Sequence, residues 1–412
     1  VNGGLKNPVG TRPGTSSASG LSLRRLSQQT CPHLATGRQS PSASAPFHRV
    51  GQTQTRAIKV TIATPLTEIL ELARWAPSGD NTQPWHFEVR DDHRVVVHAS
   101  DTREHCVYDL DGHSSQLAHG TLLETMAIAA SAHGLRMEFR RRADTPDSSP
   151  DYEVELISDS SVMPDPLLAS ISQRSVQRRA MRTEPLTASQ KLALQGAIGN
   201  AYTVHWFEGG ASRWHVAKLM FDNAKLRLTL PEAYPVHRDI IEWDARFSED
   251  KVPDQALGVD VMTRKLMRWV MTSWSRVRFF NTYLAGHLAP RIEMDLLPGV
   301  FCAAHFVIVA AGAPKTIDDY VAAGRALQRF WLTATSLGLQ LQPEMTPLIF
   351  SRYVRDGRAF SAQSGAIQFA IKLSGRFSGL LPDRSMERAV FLGRIGNGRP
   401  PGSRSLRLPL ER

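Results

Sequence analysis

The stretch APSGDNTQPW, residues 76–85, is the most informative part of this sequence. Pro77, Gly79 and Pro84 are incompatible with a continuous helix or a central strand, so a loop is predicted. The residues between them place hydroxyl, carboxyl and amide groups beside backbone N–H groups along a constrained path. Such a loop suits a flat heteroaromatic ring with alternating hydrogen-bond donors and acceptors, with Trp85 as a packing face. The alternative is a turn that buries a tryptophan.

The segments around this loop predict short strands between helices. Apolar residues at helical spacing predict a helix over 65–73. Strands follow on both sides of the Asp91–Asp92 turn, and a long helix over 114–133 ends at Gly134. A further strand is predicted over 152–157. This pattern indicates an α+β protein.

Two pairs of segments indicate an internal duplication. GTLLETMAIAASAHGL at 120–135 and GRALQRFWLTATSLGL at 324–339 are separated by 204 residues, and each predicts a helix that stops on glycine and turns into a strand. HFE at 86–88 matches WFE at 206–208 after 120 residues. Because both matches occur in the same order along the chain, a repeated unit explains them better than coincidence does.

Most of the net charge of +10 comes from the beginning of the chain. Residues 1–67 contain eight basic residues and no acid, whereas the remaining 345 residues contain 41 basic and 39 acidic residues. A nearly neutral body argues against a nucleic-acid-binding fold. Residues 1–57 lack apolar periodicity and predict a disordered basic leader. A transit peptide and upstream sequence translated from an early start are both compatible with that composition.

Composition excludes several other classes. No apolar run approaches the roughly 18–20 residues that span a bilayer, so no membrane span is predicted. Three scattered cysteines form neither a disulfide framework nor a zinc ribbon, and they fit a reducing, cytoplasmic compartment. Seven histidines lie between positions 86 and 133, but none belongs to a zinc-binding motif. These histidines are interpreted as structural or surface residues, and no metal site is predicted.

Residues 70–89, LELARWAPSGDNTQPWHFEV, closely resemble the signature of the FMN-dependent nitroreductase family. Three further elements are similar to that family and lie in order along the chain. They are the Arg-x-x-x-Arg pattern of RSVQRRAM at 174–181, the helix–Gly–Leu–strand segment TSLGLQLQPEM at 335–345, and the basic pair of RSLRLPL at 404–410. The four elements extend over nearly all of the chain after the leader.

The resemblance implies which residues hold the cofactor. In this family the loop lies against the flavin, the Arg-x-x-x-Arg helix start and the C-terminal basic pair bind the FMN phosphate, and the glycine-containing segment passes near the reactive edge of the ring. The implied FMN-binding residues are Pro77, Ser78, Gly79, Asn81, Gln83, Arg174, Ser175, Arg178, Gln340, Gln342, Arg404 and Arg407. Because hydride chemistry belongs to the flavin itself, no catalytic residue is predicted.

This sequence departs from the family in the order of these elements. The arginine pattern is missing from the first copy, predicted over 58–160, and the loop is missing from the second copy, predicted over 161–412. The chain therefore resembles the large, internally duplicated members, in which one chain imitates a dimer. That resemblance implies a nitroreductase-like fold of two tandem copies, each a sheet wrapped by helices. It also implies one FMN site per chain, in a monomer or a loose homodimer.

A large insertion is predicted in the second copy, at about 222–298. From Val261 to Ile292 it contains six basic residues and no acid, with apolar residues at three- and four-residue steps. This spacing predicts one basic amphipathic helix. Our interpretation is that its aromatic stripe packs over the protein's own cleft as a lid, because such stripes are usually buried. The alternative is a helix that contacts a membrane surface or RNA.

The leading functional hypothesis is an FMN-dependent oxidoreductase that passes hydride from NAD(P)H to a small-molecule acceptor, whether nitroaromatic, quinone-like or of another class. A second hypothesis is an FMN-binding protein that sequesters flavin in an occluded cleft with little turnover. A third is a domain that serves a multi-enzyme pathway such as cofactor biosynthesis. The insertion distinguishes the first two hypotheses, because a lid over the exposed flavin face would block substrate.

Overall fold

The computed structural model describes residues 64–382 and 385–410, so the predicted leader lies outside the described residues. The first of these residues form one antiparallel sheet and two helices. In chain order these are α1 (Pro65–Ala73), β1 (Trp85–Val89), β2 (Arg94–Ala99), α2 (His113–Ser131), β3 (Leu135–Arg141) and β4 (Asp151–Ser158). Thr64 starts α1 by accepting the backbone N–H of Thr67, and Gly134 takes a positive φ between α2 and β3.

The insertion separates the first strand of the second sheet from its other strands. Before it come α3 (Ser170–Gln173), α4 (Ala188–Ala197) and β5 (Tyr202–Glu208). The insertion contains α5 (Gly209–Thr229), α6 (Ala233–Ile240), β6 (Ile241–Glu242), β7 (Phe247–Ser248), β8 (Val252–Pro253), α7 (Val261–Val270), α8 (Trp274–Tyr283), α9 (Leu288–Arg291) and α10 (Leu297–Val300). After it come β9 (Ala304–Ala310), α11 (Ile317–Ser336), β10 (Leu339–Pro343), α12 (Thr346–Arg355), α13 (Ser364–Ser378), α14 (Ser385–Arg388), β11 (Ala389–Asn397) and β12 (Arg404–Ser405).

The two four-stranded sheets have the same strand order. The first is ordered β1-β2-β4-β3 and the second β5-β9-β11-β10, and every neighbouring pair within them is antiparallel. In each sheet one long helix, α2 or α11, joins the second strand along the chain to the third. The remaining strands form two short parallel pairs, β6 with β8 and β7 with β12. Helices beside antiparallel sheets confirm the predicted α+β class.

The two long helices cross at a pair of glycines. A Cβ atom on Gly120 of α2 would overlap the carbonyl oxygen of Val321 and lie 2.8 Å from the Cα of Gly324. A Cβ atom on Gly324 of α11 would likewise overlap the carbonyl oxygen of Leu117. The backbones meet where no side chain fits, so the crossing requires glycine on both helices.

The insertion differs from its prediction in two respects. It occupies the whole connection between β5 and β9, so the predicted start at 222 lies inside α5, a helix of 21 residues. The single amphipathic helix predicted over 261–292 is also wrong, because α7 ends at Val270 and α8 begins at Trp274. Ser273 separates them, since its hydroxyl accepts the N–H of Arg276 and starts a new helix. Within the described ranges, no helix combines the length and apolar character needed to cross a membrane.

We expect Gly120→Ala to lower the free energy of unfolding by about 3 kcal/mol, because the added methyl group must push the two helix backbones apart. Gly375→Ala is the matched control, since Gly375 is also helical but has open space around its Cα. This control should be neutral or stabilising by about 0.5–1 kcal/mol. Urea unfolding followed by circular dichroism measures both, and equal stabilities for the two variants would contradict the tight crossing.

Candidate functional site

One cavity of about 370 Å³ collects most of the residues that the sequence indicated. This volume lies in the range of small-molecule and cofactor sites. Ten of the twelve predicted cofactor residues line it: Pro77, Ser78, Gly79, Asn81, Arg174, Ser175, Arg178, Gln342, Arg404 and Arg407. The cavity therefore joins the loop of the first half to the arginines and the β10 end of the second half.

The loop that borders this cavity has an unusual backbone. Asp80, Asn81 and Gln83 all take positive φ angles, of 51°, 66° and 48°. Side chains other than glycine adopt this region at a cost of order 1–3 kcal/mol each, so surrounding contacts must hold the loop. The amide of Asn81 donates to the carbonyls of Glu249 and Lys251, and Ser78 Oγ accepts the N–H of Gln83. Such strain is often found where a loop is shaped for a ligand.

Two of the predicted residues and one predicted packing face lie elsewhere. Gln83 connects the loop to two distant segments, because its side chain donates to the carbonyl of Glu249 and accepts the N–H of Leu408. Gln340 is on β10 opposite Gly396 and does not line the cavity. Trp85 begins β1, is half-buried and packs against the core of the first sheet, and it does not line the cavity. The directions in which these side chains point depend on strand register and on contacts with the C-terminal segment, and motif spacing specifies neither.

Three arginines meet at one end of the cavity. Arg174 and Arg407 are buried, and each donates to the backbone carbonyl of Trp75. Arg404 donates to the carbonyls of Ser172 and Arg174, and its guanidinium lies 4.9 Å from the centre of the Trp75 ring. These contacts place three positive charges together through backbone carbonyls and aromatic faces.

None of these three arginines pairs with a carboxylate in the described part of the chain. Burial, together with the nearby Arg407 and Arg404, lowers the pKa of Arg174 well below its ordinary value. Burial, with Arg404 and Arg74, also lowers the pKa of Arg407 to about 9. A buried positive charge without a counterion is costly, and a bound anion would offset that cost. The cluster therefore has the character of an anion site.

The segment that carries Arg174 and Arg178 is not the helix start that the Arg-x-x-x-Arg pattern implied. Arg174 caps the C-terminal end of the four-residue α3, with a ψ of 131°, and the chain then runs extended. Val176 forms a parallel bridge with Leu341 of β10, and the N–H of Gln177 donates to the Leu341 carbonyl. Positions four apart share a side of an extended chain as well as of a helix, which is why both arginines still line the cavity.

Five buried polar atoms around the cavity lack hydrogen-bond partners among the described residues. Three are donors, the Nε atoms of Arg174, Arg394 and Arg404, and two are acceptors, Asn81 Oδ1 and Gln342 Oε1. All five residues line the cavity. Buried polar atoms are nearly always paired in folded proteins, so this set indicates a ligand with both an anionic group and N–H donors.

The cavity walls also include ionisable groups from the insertion. Tyr108 Oη and Nε2 of His237 share a hydrogen bond of 2.8 Å, and burial, with Arg227 nearby, lowers the pKa of this histidine to about 3. Arg227 pairs with Asp295 at 3.3 Å, and burial raises the pKa of Asp295 to about 6. Burial raises the pKa of the Cys106 thiol to about 12, so it is neutral and a poor nucleophile.

A buried charged network, two of whose residues, Glu344 and Arg394, line the cavity, was missed by the sequence analysis. Arg394 donates to Glu344 at 2.9 Å and to the carbonyl of Arg178, and His305 contacts the second Glu344 oxygen at 2.6 Å. Burial alone would lower the pKa of His305, but the Glu344 carboxylate raises it to about 10. The signal in the sequence was the single charged or polar residue inside each of the apolar strands β9 and β11.

The insertion borders the cavity, but through residues other than the predicted ones. Its contributions are Met220, Arg227, His237, Ile240, Val252, Ala256, Leu257, Met294 and Asp295. All of residues 261–285 are described, and none of them lines the cavity. The aromatic stripe that was predicted to pack over the cleft as a lid, which includes Trp269 and Trp274, therefore does not line this cavity. No group of histidine, cysteine, aspartate and glutamate residues in the described ranges could hold a metal ion.

Comparison with known proteins gives distant similarities. No protein-family model matches the chain. The curated "Uncharacterized protein MT1398" of Mycobacterium tuberculosis (strain CDC 1551 / Oshkosh) is 22% identical over 357 residues, or 82% of this chain. That stretch is 46% of the relative, so the chain spans about half of its length. A nitroreductase-like family protein from Bacillus cereus is 13% identical, with a TM-score of 0.29 over 60% of this chain and 92% of its own.

The low pKa of His237 predicts a loss of stability in acid. This pKa is lowered from 6.5 to about 3 in the folded state, so between these pH values protons bind the unfolded state more tightly than the folded state. The free energy of unfolding is therefore highest above about pH 6.5 and falls as the pH is lowered towards 3. Between about pH 7 and about pH 5 the wild type should lose about 2 kcal/mol through this group. His237→Gln should not show that loss, whereas the exposed His93→Gln control should follow the wild type.

Urea unfolding at both pH values measures these differences. A His237→Gln stability that changes with pH in parallel with the wild type would contradict a buried neutral histidine at this position.

Proposed function

We propose that this chain is an FMN-dependent oxidoreductase of the nitroreductase type. The observation that carries the proposal is the cluster of Arg174, Arg404 and Arg407, which line one cavity and donate to backbone carbonyls, with no carboxylate partner among the described residues. Guanidinium groups bind phosphate through charge-assisted, often bidentate hydrogen bonds. The loop at 77–81 lines the same cavity and is therefore available to the rest of a ligand whose phosphate binds there.

The residues at the cavity fit FMN in their donor and acceptor chemistry. The free Nε atoms of Arg174 and Arg404 suit the phosphate, whereas Asn81 Oδ1 and Gln342 Oε1 suit N–H groups of the ring. When bound, FMN would supply hydride transfer, and no acid–base residue of the protein is then required. The chain's own residues would bind, orient and enclose the cofactor. The strained loop is preshaped for this task, because its contacts to 249–251 and 408 hold it in place.

The common order of the two sheets supports an internal duplication with one complete FMN site. Gly120 and Gly324 occupy matching positions of the aligned segments and face each other where α2 crosses α11. That is the arrangement expected when two copies meet around an approximate twofold axis. Because the loop belongs to the first copy and Arg174 to the second, their combination forms one site, and its counterpart lacks both elements.

The proposed reaction takes hydride from NAD(P)H and reduces a nitroaromatic, a quinone-like compound or another small acceptor. One observation favours the sequestering alternative. Ile240, Val252 and Leu257 of the insertion add apolar walls to the cavity and so reduce the open face that a substrate needs. The two functions differ in whether a nicotinamide donor reaches the bound flavin.

We expect the purified protein to contain one FMN per 412-residue chain and to bleach under anaerobic conditions when NADPH or NADH is added. Visible absorbance against protein mass measures both quantities. Bleaching by dithionite but by neither nicotinamide would favour sequestration over turnover. Two tightly bound flavins per chain would contradict the single-site argument, and no flavin binding at all would overturn the proposed function.

Arg404→Gln and Arg407→Gln should each weaken FMN binding by about 1.5–3 kcal/mol, the usual contribution of a hydrogen bond to a charged group. Riboflavin lacks the phosphate and should bind both variants and the wild type almost equally. Arg140→Gln is the control, because the Arg140 side chain is 80% exposed and lies on the outer part of the first sheet. Fluorescence titration measures the affinities. Equal losses for riboflavin and FMN would show that these arginines support the fold and do not bind the phosphate.

A further inference from the structure

The helical pair α7–α8 exposes an unusual amount of apolar surface. We call residues 261–288 the hairpin. Its large exposed apolar residues are Val261, Met262, Leu266, Trp269, Phe279, Tyr283, Leu284 and Leu288. Met262 is 74% exposed, Trp269 50%, Phe279 52% and Tyr283 73%. Isolated exposed apolar residues are common, but a set this dense in 28 residues marks an interaction surface.

The exposed aromatic residues form one continuous surface across both helices. The ring of Trp269 on α7 lies 5.5 Å from that of Phe280 on α8, and Phe280 lies 6.0 Å from Phe279. Phe279 in turn lies 5.2 Å from Tyr283. Met262 and Leu266 precede Trp269 at helical spacing and extend the same face along α7. The surface is therefore a single apolar stripe.

This stripe is not needed to attach the hairpin to the protein. A different set of residues makes that attachment. Trp274 packs 5.6 Å from the ring of Tyr234, whose hydroxyl donates to the carbonyl of Met271. Val277 is buried, and the Asn281 amide donates to the carbonyl of Leu228. Because the inward face already has its contacts, the outward stripe is available to a partner.

The charges beside the stripe are positive. The hairpin contains five lysines and arginines and no acid. Arg264 pairs with Asp254, and Arg268 pairs with Asp244, but Lys265, Arg276 and Arg278 have no carboxylate partner within the described residues. The guanidinium of Arg276 lies 4.7 Å from the centre of the Trp269 ring, so charge and aromatic surface are adjacent. A partner must therefore combine an apolar layer with negative charge.

We propose that the hairpin docks on an anionic lipid surface, with its stripe among the acyl chains and its basic residues among the head groups. Helices with aromatic and aliphatic residues on one side and lysine or arginine beside them bind membranes in this way, lying in the interface without crossing it. The basic leader has the same sign of charge and is not complementary to the hairpin. Two hairpins from two copies would also repel each other. The proposal is independent of the proposed enzyme activity.

The test is co-sedimentation of the full chain with vesicles. We expect binding to vesicles of phosphatidylcholine mixed with phosphatidylglycerol, little binding to phosphatidylcholine alone, and weakening as salt is raised. The double variant W269A/F279A should bind the anionic vesicles about tenfold less tightly or weaker, because two interfacial aromatic side chains are removed. Both residues are exposed, so the thermal unfolding midpoint should not change.

The matched control is L192A/W214A, which also removes two exposed apolar side chains but lies on α4 and α5, outside the hairpin. Wild-type binding by this control supports the proposal. Wild-type binding by W269A/F279A would place the interaction in the basic leader and overturn it. Equal losses in both double variants, or no binding to anionic vesicles, would also overturn it. So would self-association of the wild type that W269A/F279A abolishes in sedimentation velocity, because the occupant would then be a second copy.

Discussion

The crossing of α2 and α11 is the contact on which the other features depend. Gly120 and Gly324 let the two helix backbones touch, and each of these helices joins two strands of its own sheet. Both helices then contribute to the cavity, α2 through Leu117 and Thr121 and α11 through Leu327 and Trp331. A wider separation would move the loop after α1 away from Arg174. The site is therefore a consequence of helix packing before it is a consequence of any motif.

The arginines show how one residue type serves two purposes in this fold. Arg394 is buried against Glu344, and Arg352 is buried against Asp111, so each has its counterion within the protein. Arg174 and Arg407 are equally buried but are held by backbone carbonyls. A carbonyl dipole orients a guanidinium without neutralising it. This difference separates arginines that have a counterion within the protein from those that have none among the described residues, and charge counts alone do not reveal it.

The insertion has two faces with different roles. Its segments around Ile240, Val252 and Leu257 turn towards the cavity and are enclosed there. The hairpin at 261–288 does not line the cavity and leaves Trp269, Phe279 and Tyr283 exposed. The amphipathic pattern correctly indicated that one side is apolar. Periodicity does not specify whether that apolar side packs on the protein or faces solvent. Serine is a common first residue of a helix, and Ser273 begins α8 in this way. The apolar stripe is therefore divided between two helices.

The sequence by itself determined the local features. Thr64 and Pro65 start α1, Gly134 and Gly338 end the long helices, and the prolines and Gly79 of 76–85 exclude regular structure, because these effects act within a few residues. Only the tertiary structure decided which residues face the cavity. The Gln83 side chain accepts the N–H of Leu408, which lies 325 residues further along the chain. The chain after Arg174 runs extended, because Val176 pairs with Leu341 of β10. Spacing specifies neighbours along the chain, whereas a site consists of neighbours in space.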